Sequence, residues 1–353
     1  MSAGKTEAAA SAGSKVEEEF KLEPMAVPAI IAGYHFVIVA MPDGRIYINW
    51  YSDFECENNK NGVLLDLDAN EVAQILCNSG ITILKTDGRT VINFTYDYNE
   101  FDKKPLKKEI KYYRYDIKML ANTKKGPYSE VNHVLLQANG TLNLLPKGSF
   151  GDVKNIIPQT EDGYMIKPKS VYYFGELIAI IGEDNYCYII TNSDIFDNVY
   201  SVLLLHNKPI EVVKVANTTN DLYAMDFDGV VHRWYKGPNG FCYRETITGE
   251  DNECIKMRKL DAGGNMYMCM DINGNYHCNA KHSSTYRDIP KDKNGNYYKL
   301  IDADININSA AGITEEGEIL AWGKKRGPRF MVNEEGEQLV VLTGSTIKSA
   351  RKC

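Results

Sequence analysis

The chain has no apolar run that approaches the length of a membrane span, so no helical membrane segment is assigned. Its opening stretch, MSAGKTEAAASAGSKVEEEF, holds no hydrophobic signal region. Ala, Ser, Gly and Glu with scattered Lys read there as a disordered tail over residues 1–23, and residues 351–353 read as a short tail at the other end. Positive charge is in deficit: the net charge is -7 and the pI ≈ 5.5. That argues against non-specific binding to DNA or anionic lipid as the main activity, and leaves nucleic acid disfavoured beside a protein partner.

The eight cysteines have neither metal-finger spacing nor a small-domain disulfide framework. They read as reduced thiols of an intracellular protein, cytoplasmic or nuclear. No Ser-His-Asp or Cys-His arrangement stands out, and Gly-rich phosphate loops are absent: Gly263-Gly264 stands where a strand begins, without a strand–loop–helix context. No catalytic residue and no cofactor is therefore assigned, and the chain is expected not to be an enzyme. Asn93, Asn139 and Asn217 match the glycosylation pattern but carry no weight without a signal peptide.

What is present is a repeated hairpin. Gly33 to Trp50 reads GYHFVIVAMPDGRIYINW, an apolar strand, an Asp43-Gly44 turn and a returning strand. Asp-Gly between hydrophobic runs is a strong hairpin signal, expected as a two-residue turn with φ > 0 at both central positions. The signal recurs at Asp87-Gly88, Asn139-Gly140, Asp184-Asn185, Asp228-Gly229, Asn273-Gly274 and Glu316-Gly317. Successive turns lie roughly 44 residues apart, a period that means a solenoid or a propeller. Strands rich in Val, Ile, Tyr and Leu, with few helical periodicities, select the propeller. Such a period holds a four-stranded antiparallel blade, and residues 24–350 provide for an all-β, seven-bladed β-propeller.

PMAVPAIIAGYHFVIVAMPDGRIYINW resembles a repeat of the regulator of chromosome condensation family: an apolar strand ending in Ala-Gly, a His-led strand, Asp-Gly, then a strand ending in Trp. AAGITEEGEILAWG resembles it more closely, ending on Trp322-Gly323, and Trp50 and Trp234 take the corresponding places in blades one and five. The family's Gly-Gln-Leu-Gly segment is missing from every blade, and four blades lack the Trp. The resemblance implies a seven-bladed propeller and no single activity, since members include a guanine-nucleotide exchange factor, chromatin binders and plain interaction modules. His35 and His133 begin strands as the family's His does and read as structural.

Two basic stretches are candidate partner sites. Lys103 to Lys118, KKPLKKEIKYYRYDIK, interleaves Lys107, Lys108, Lys111 and Arg114 with Tyr112, Tyr113 and Tyr115. It reads either as a patch for phosphate or an acidic partner, or as an edge strand whose Lys discourages edge pairing while the Tyr pack inward. Gly323 to Arg329 reads as a basic loop carrying Lys324, Lys325, Arg326 and Arg329, either a docking loop or a solvated turn. Beyond it, QLVVLTGSTIKSA offers strands whose expected use is to close the ring by pairing with the other terminus.

One concentration of soft ligands exists: Cys242, Cys254, Cys269, His277, Cys278 and His282. A zinc site would draw on Cys269, His277, Cys278 and His282. If Asn273-Gly274 forms a two-residue loop, Met270 faces His277 and Cys269 faces Cys278, as Val39 faces Ile48 in blade one. That equivalence favours the cysteines as small core hydrophobes. The carboxylate pairs Asp66/Asp68 and Asp302/Asp304 read as ordinary strand alternation.

The leading expectation is a non-enzymatic scaffold or adaptor with a protein partner. The alternatives are guanine-nucleotide exchange on a small GTPase, and a structural component of a large DNA virus or other assembly. The last is motivated by an Asn-, Lys-, Ile- and Tyr-laden composition and an eroded repeat.

Overall fold

The computed structural model describes residues 20–341 apart from 34–35, 51–61, 78–79, 96–106, 122–130, 147–153, 176, 192–198, 219, 238–239, 249–253, 264–265, 279–290, 307–308, 324–325, 334 and 336. The chain is a seven-bladed β-propeller, with one short 3-10 turn, Ala69–Glu71, among the described residues. Blade one is Ala29–Ala32, Phe36–Ala40, Ile46–Trp50 and Val63–Leu65. Blade two is Val72–Cys77, Ile81–Lys85, Thr90–Thr95 and Lys107–Tyr112. The inner strands that follow are Ile117–Ala121, Pro168–Tyr173, Lys214–Asn217, Met257–Gly263 and Leu300–Ile305. Blade four gains a fifth strand, Gln159–Thr160, laid parallel to Val199–Val202, and blade six shows three strands among the described residues.

The turns differ from the expected type. Gly44, Gly88, Gly140, Gly229, Gly274 and Gly317 have positive φ while the Asp, Asn or Glu before each does not. Asn185 takes the left-handed place in blade four at φ 65. In blade six the amide of Gly274 donates to Asp271 O at 3.1 Å and the amide of Asp271 to Asn275 O at 3.0 Å, so three residues form the loop. A single left-handed residue closing a three-residue loop is the G1-bulge hairpin, in which only the last position needs glycine. The extra loop residue shifts register by one. Cys269 faces His277, Met268 faces Cys278, and in blade one Val39 faces Tyr47 rather than Ile48. Trp50 falls one residue farther from its turn glycine than Trp234 and Trp322, so the three tryptophans are not equivalent.

The core lies between blades. In blade one Phe36–Ala40 is buried at every position because alternate side chains serve two neighbours. Ile38 packs with Ile75, Ile81 and Ile83 of blade two, while Val37 and Val39 pack with Ala311, Ile313 and Ile319 of blade seven. Leu177–Gly182 and Asp221–Met225 are also buried throughout, which explains second strands that read as continuous apolar runs. Each fully buried Val, Leu or Ile contributes about 1.5–3 kcal/mol.

Most of the segment expected to supply a closing strand, 342–350, lies outside the described residues, and among those described the ring closes without a shared strand. The bridges Val332↔Gln338 and Glu318↔Val340 keep the last described segment on blade seven. Blade one meets it through side chains and loops: Asn49 Nδ2 donates to Val332 O at 3.1 Å, Asn49 Oδ1 accepts from the amide of Val332 at 3.2 Å, and the amide of Gly62 donates to Asn333 O at 3.1 Å. At the inner strands, Asp304 Oδ2 accepts from the amide of Ala32 at 2.7 Å and Asp302 Oδ2 from that of Ile30 at 3.2 Å. Asn306 Nδ2 donates to Ala32 O at 3.1 Å. The Asp302/Asp304 pair is thus more than strand alternation: it satisfies the edge amides of the first blade. Gln74 does the same between blades two and three, accepting from the amide of Leu120 at 2.8 Å and donating to its carbonyl at 2.9 Å.

Asp304→Ala leaves the buried amide of Ala32 without its acceptor, and a loss of about 1–3 kcal/mol in urea unfolding is expected. The exposed Asp43–Arg45 pair serves as control, with Asp43→Ala costing about 1 kcal/mol or less.

Candidate functional site: the groove between blades one and two

The groove is built by two outer strands that splay apart at the rim. Lys107–Tyr112 pairs with Thr90–Thr95 in the register Phe94↔Lys108, Ile92↔Ile110 and Thr90↔Tyr112. Strand alternation sends Lys108, Ile110 and Tyr112 to the face toward blade one, where all three line the groove. From blade one come Leu64, Leu65 and Leu67, and the cavity measures about 760 Å³. Its floor is apolar: Ile92 and Leu65 are buried. Its blade-two wall is not covered, with Ile110 44% and Tyr112 76% exposed.

The charged rim is largely paired within itself. Arg45 Nη2 lies 2.6 Å from Asp43 Oδ2, and Lys85 Nζ 2.7 Å from Glu71 Oε2. Asp68 Oδ1 accepts from the amide and the side-chain amide of Asn70, both at 2.9 Å. The groove thus has an apolar centre and a charged rim in which Asp43, Arg45, Glu71 and Lys85 are paired.

The opposite face of the same edge strand turns toward blade three. Lys111 Nζ lies 3.6 Å from Glu109 Oε1, and burial lowers its pKa. Across the blade boundary His133 Nε2 lies 3.5 Å from Thr82 Oγ1. Burial, and then the Lys111 charge, hold His133 down at about 4. Tyr113 and Tyr115 pack on the cluster between blades two and three, and burial pushes the Tyr113 phenol up to about 12. The basic stretch is therefore divided: Lys108 faces the groove, Lys111 faces His133, and Arg114 lies exposed at a bend. Lys107 starts the edge strand, and its side chain lies outside the described residues. Edge strand and inward Tyr113 and Tyr115 match one of the two sequence readings; Tyr112 departs from it by pointing out.

The second basic stretch is not a loop along its length. Arg326–Phe330 is the outer strand of blade seven, paired as Gly323↔Arg326, Ala321↔Arg329 and Leu320↔Phe330. Lys324 and Lys325 lie outside the described residues, as do the side chains of Arg326 and Arg329.

Among the described residues the soft ligands do not converge. The register puts Cys269 and Cys278 on opposite faces, Cys269 in the cluster with blade five and Cys278 in that with blade seven. Burial pushes the Cys269 thiol far above its ordinary range. His282 lies outside the described residues, and among those described no three His, Cys, Asp or Glu form a group able to hold a metal.

The fold assembles one constellation that the sequence does not display. His232 Nε2 lies 3.1 Å from Asp226 Oδ2, and its Nδ1 lies 3.1 Å from Thr246 Oγ1. The connectivity is that of an acid–base relay, but its atoms are committed elsewhere. Asp226 Oδ1 accepts from the turn amides of Asp228 at 3.0 Å and Val230 at 2.8 Å, and Thr246 Oγ1 is shared with Tyr243 Oη at 2.9 Å. The same strand position, three residues past the left-handed turn residue, carries His277 on Asp271 and Tyr188 on Asp184, at 3.1 and 2.6 Å. A device repeated in blades four, five and six braces turns.

In sequence, no family model and no curated protein matches the chain. Among solved structures it is similar to BBS1N in its complex with ARL6DN, at 15% identity and TM-score 0.53 over 87% of this chain and 98% of that one. It is similar to the Cps50 (Swd1) β-propeller domain of Myceliophteria thermophila at 10% identity and TM-score 0.54, over 84% and 96%. Kap60 bound to yeast RCC1 (Prp20) matches at 10% identity and TM-score 0.50, over 97% and 92%. At these identities the likeness is one of fold.

The His133 pKa has a consequence for stability. Between its ordinary 6.5 and about 4 the unfolded chain takes up a proton that the folded chain refuses. Its contribution is present above pH 6.5 and lost as pH falls through that window. Urea midpoints measured across it should fall less steeply for His133→Gln than for the parent.

Proposed function

We propose that the chain is a non-enzymatic protein-interaction scaffold, an intracellular and divergent propeller of the regulator-of-chromosome-condensation type. The observation that carries this reading is the groove between blades one and two. Ile110 and Tyr112 remain uncovered there although their strand positions face blade one. Contiguous apolar side chains with a charged rim support a macromolecular partner, and a large aromatic at the centre of such a patch is the usual energetic anchor. A ring of packed blades supports the role because it holds the two groove walls in a fixed relation.

Affinity capture from the native source tests this. The double variant Ile110→Asp, Tyr112→Ala should weaken capture of the parent's partner by about thirtyfold or more, as loss of an anchor worth about 2 kcal/mol does. A variant with Lys324, Lys325, Arg326 and Arg329 changed to Ser should retain it. Equal recovery by the parent and the groove variant would remove the groove as the contact.

A further inference from the structure

The inner strands of all seven blades enclose a central cavity of about 560 Å³, within the range of small-molecule sites. Its wall is not uniform. Blades one to three supply an apolar arc that includes Ile31, Leu76, Met119 and Ala121. Blades four to seven supply aromatic and charged groups. Tyr172 and Phe174 stack at 6.3 Å between ring centroids, 10° from parallel, and Lys214 Nζ stands 5.1 Å from the Tyr172 centroid.

The charges of this arc are unequally engaged. Asp302 accepts from Lys259 Nζ at 2.5 Å as well as from the amides of Ile30 and Ala303. Asp304 accepts from the amide of Ala32, and Asp261 from that of Ala262 at 2.8 Å. Asp261 and Asp304 line the same cavity, each held by a backbone amide, and Asp304 is buried. Two cations have no such commitment. Arg258 Nη2 donates to the carbonyl of Leu300 at 2.7 Å and approaches Met270 Sδ at 3.6 Å. Lys214 has only the Tyr172 ring. Among the described residues neither has a carboxylate within ion-pair distance. They stand on the adjacent inner strands of blades five and six.

We propose that the central cavity is a binding site for a small amphipathic anion, its carboxylate or sulfonate head on Lys214 and Arg258 and its apolar body against Tyr172, Phe174 and the arc of blades one to three. An apolar wall with a few convergent polar groups fixes such a ligand by orientation, and anionic oxygens give both cations charge-assisted hydrogen bonds. The site does not depend on the scaffold reading.

The test titrates the full chain with 1-anilinonaphthalene-8-sulfonate. One saturable site per chain is expected, displaced by dodecanoate and not by dodecyltrimethylammonium, which has the same tail with the opposite charge. The Lys214→Ala, Arg258→Ala double variant should bind at least about tenfold more weakly, with Lys214→Arg close to the parent. The groove variant Ile110→Asp, Tyr112→Ala should bind as the parent does. Absence of saturable binding, equal displacement by the two detergents, or loss in the groove variant would overturn the proposal. The detergent comparison uses the parent protein, so it decides the matter even if the double variant unfolds.

Discussion

Everything in this molecule depends on each blade being buried on both faces. A strand such as Phe36–Ala40 has no solvent side: Ile38 belongs to one interface and Val39 to another. No blade has a core of its own, so stability is a property of neighbouring pairs and the ring must close. The first and last blades meet like any other pair, through Val37, Val39 and Tyr47 against Ile313, Ile319 and Val341. Hydrogen bonding at that seam falls to Asp302, Asp304 and Asn306, whose side chains reach the edge amides and carbonyl of a strand nearly the whole chain away. Two carboxylates there do what a shared strand would otherwise do.

The same geometry produces both surfaces of interest. Inner strands converge on the axis and leave a narrow cavity whose lining is whatever the edges and channel-facing positions carry. Outer strands diverge, because blades are wedges, and the gap between them widens with radius. Between blades one and two that gap is floored by Ile92 and Leu65 and walled by Ile110 and Tyr112. Ile110 and Tyr112, which strand alternation points at blade one, are left 44% and 76% exposed at that distance. The uncovered apolar groove therefore follows from ring geometry combined with apolar residues on an edge strand that also carries Lys107, Lys108 and Lys111.

The turn aspartates show how local chemistry is reused. In blades five and six one carboxylate oxygen caps the turn amides and the other accepts from a histidine three residues past the turn glycine. Blade four places Tyr188 on Asp184 to the same end. The Asp226–His232–Thr246 chain looks catalytic in isolation; repetition at one strand position identifies the common purpose as holding the hairpin loop.

Much of the fold was legible in the chain because its information is local. The hairpins announce themselves through Asp-Gly and Asn-Gly between apolar runs, their spacing sets seven blades, and β-branched residues set strands. Loop type was less legible: two-residue and three-residue loops share the same Gly, yet differ by one residue in register, which moved Cys269 from facing Cys278 to facing His277. What spans blades was not legible at all. Nothing near Asp304 in sequence shows that its acceptor satisfies Ala32, nor does anything near Lys111 show His133 across a blade boundary. The sequence by itself determined the repeating unit and its number, through turn chemistry and period. Only the tertiary structure decided how the ring closes, which apolar side chains are left uncovered and which cations lack a counter-charge, because each depends on residues brought together by blade packing over hundreds of positions.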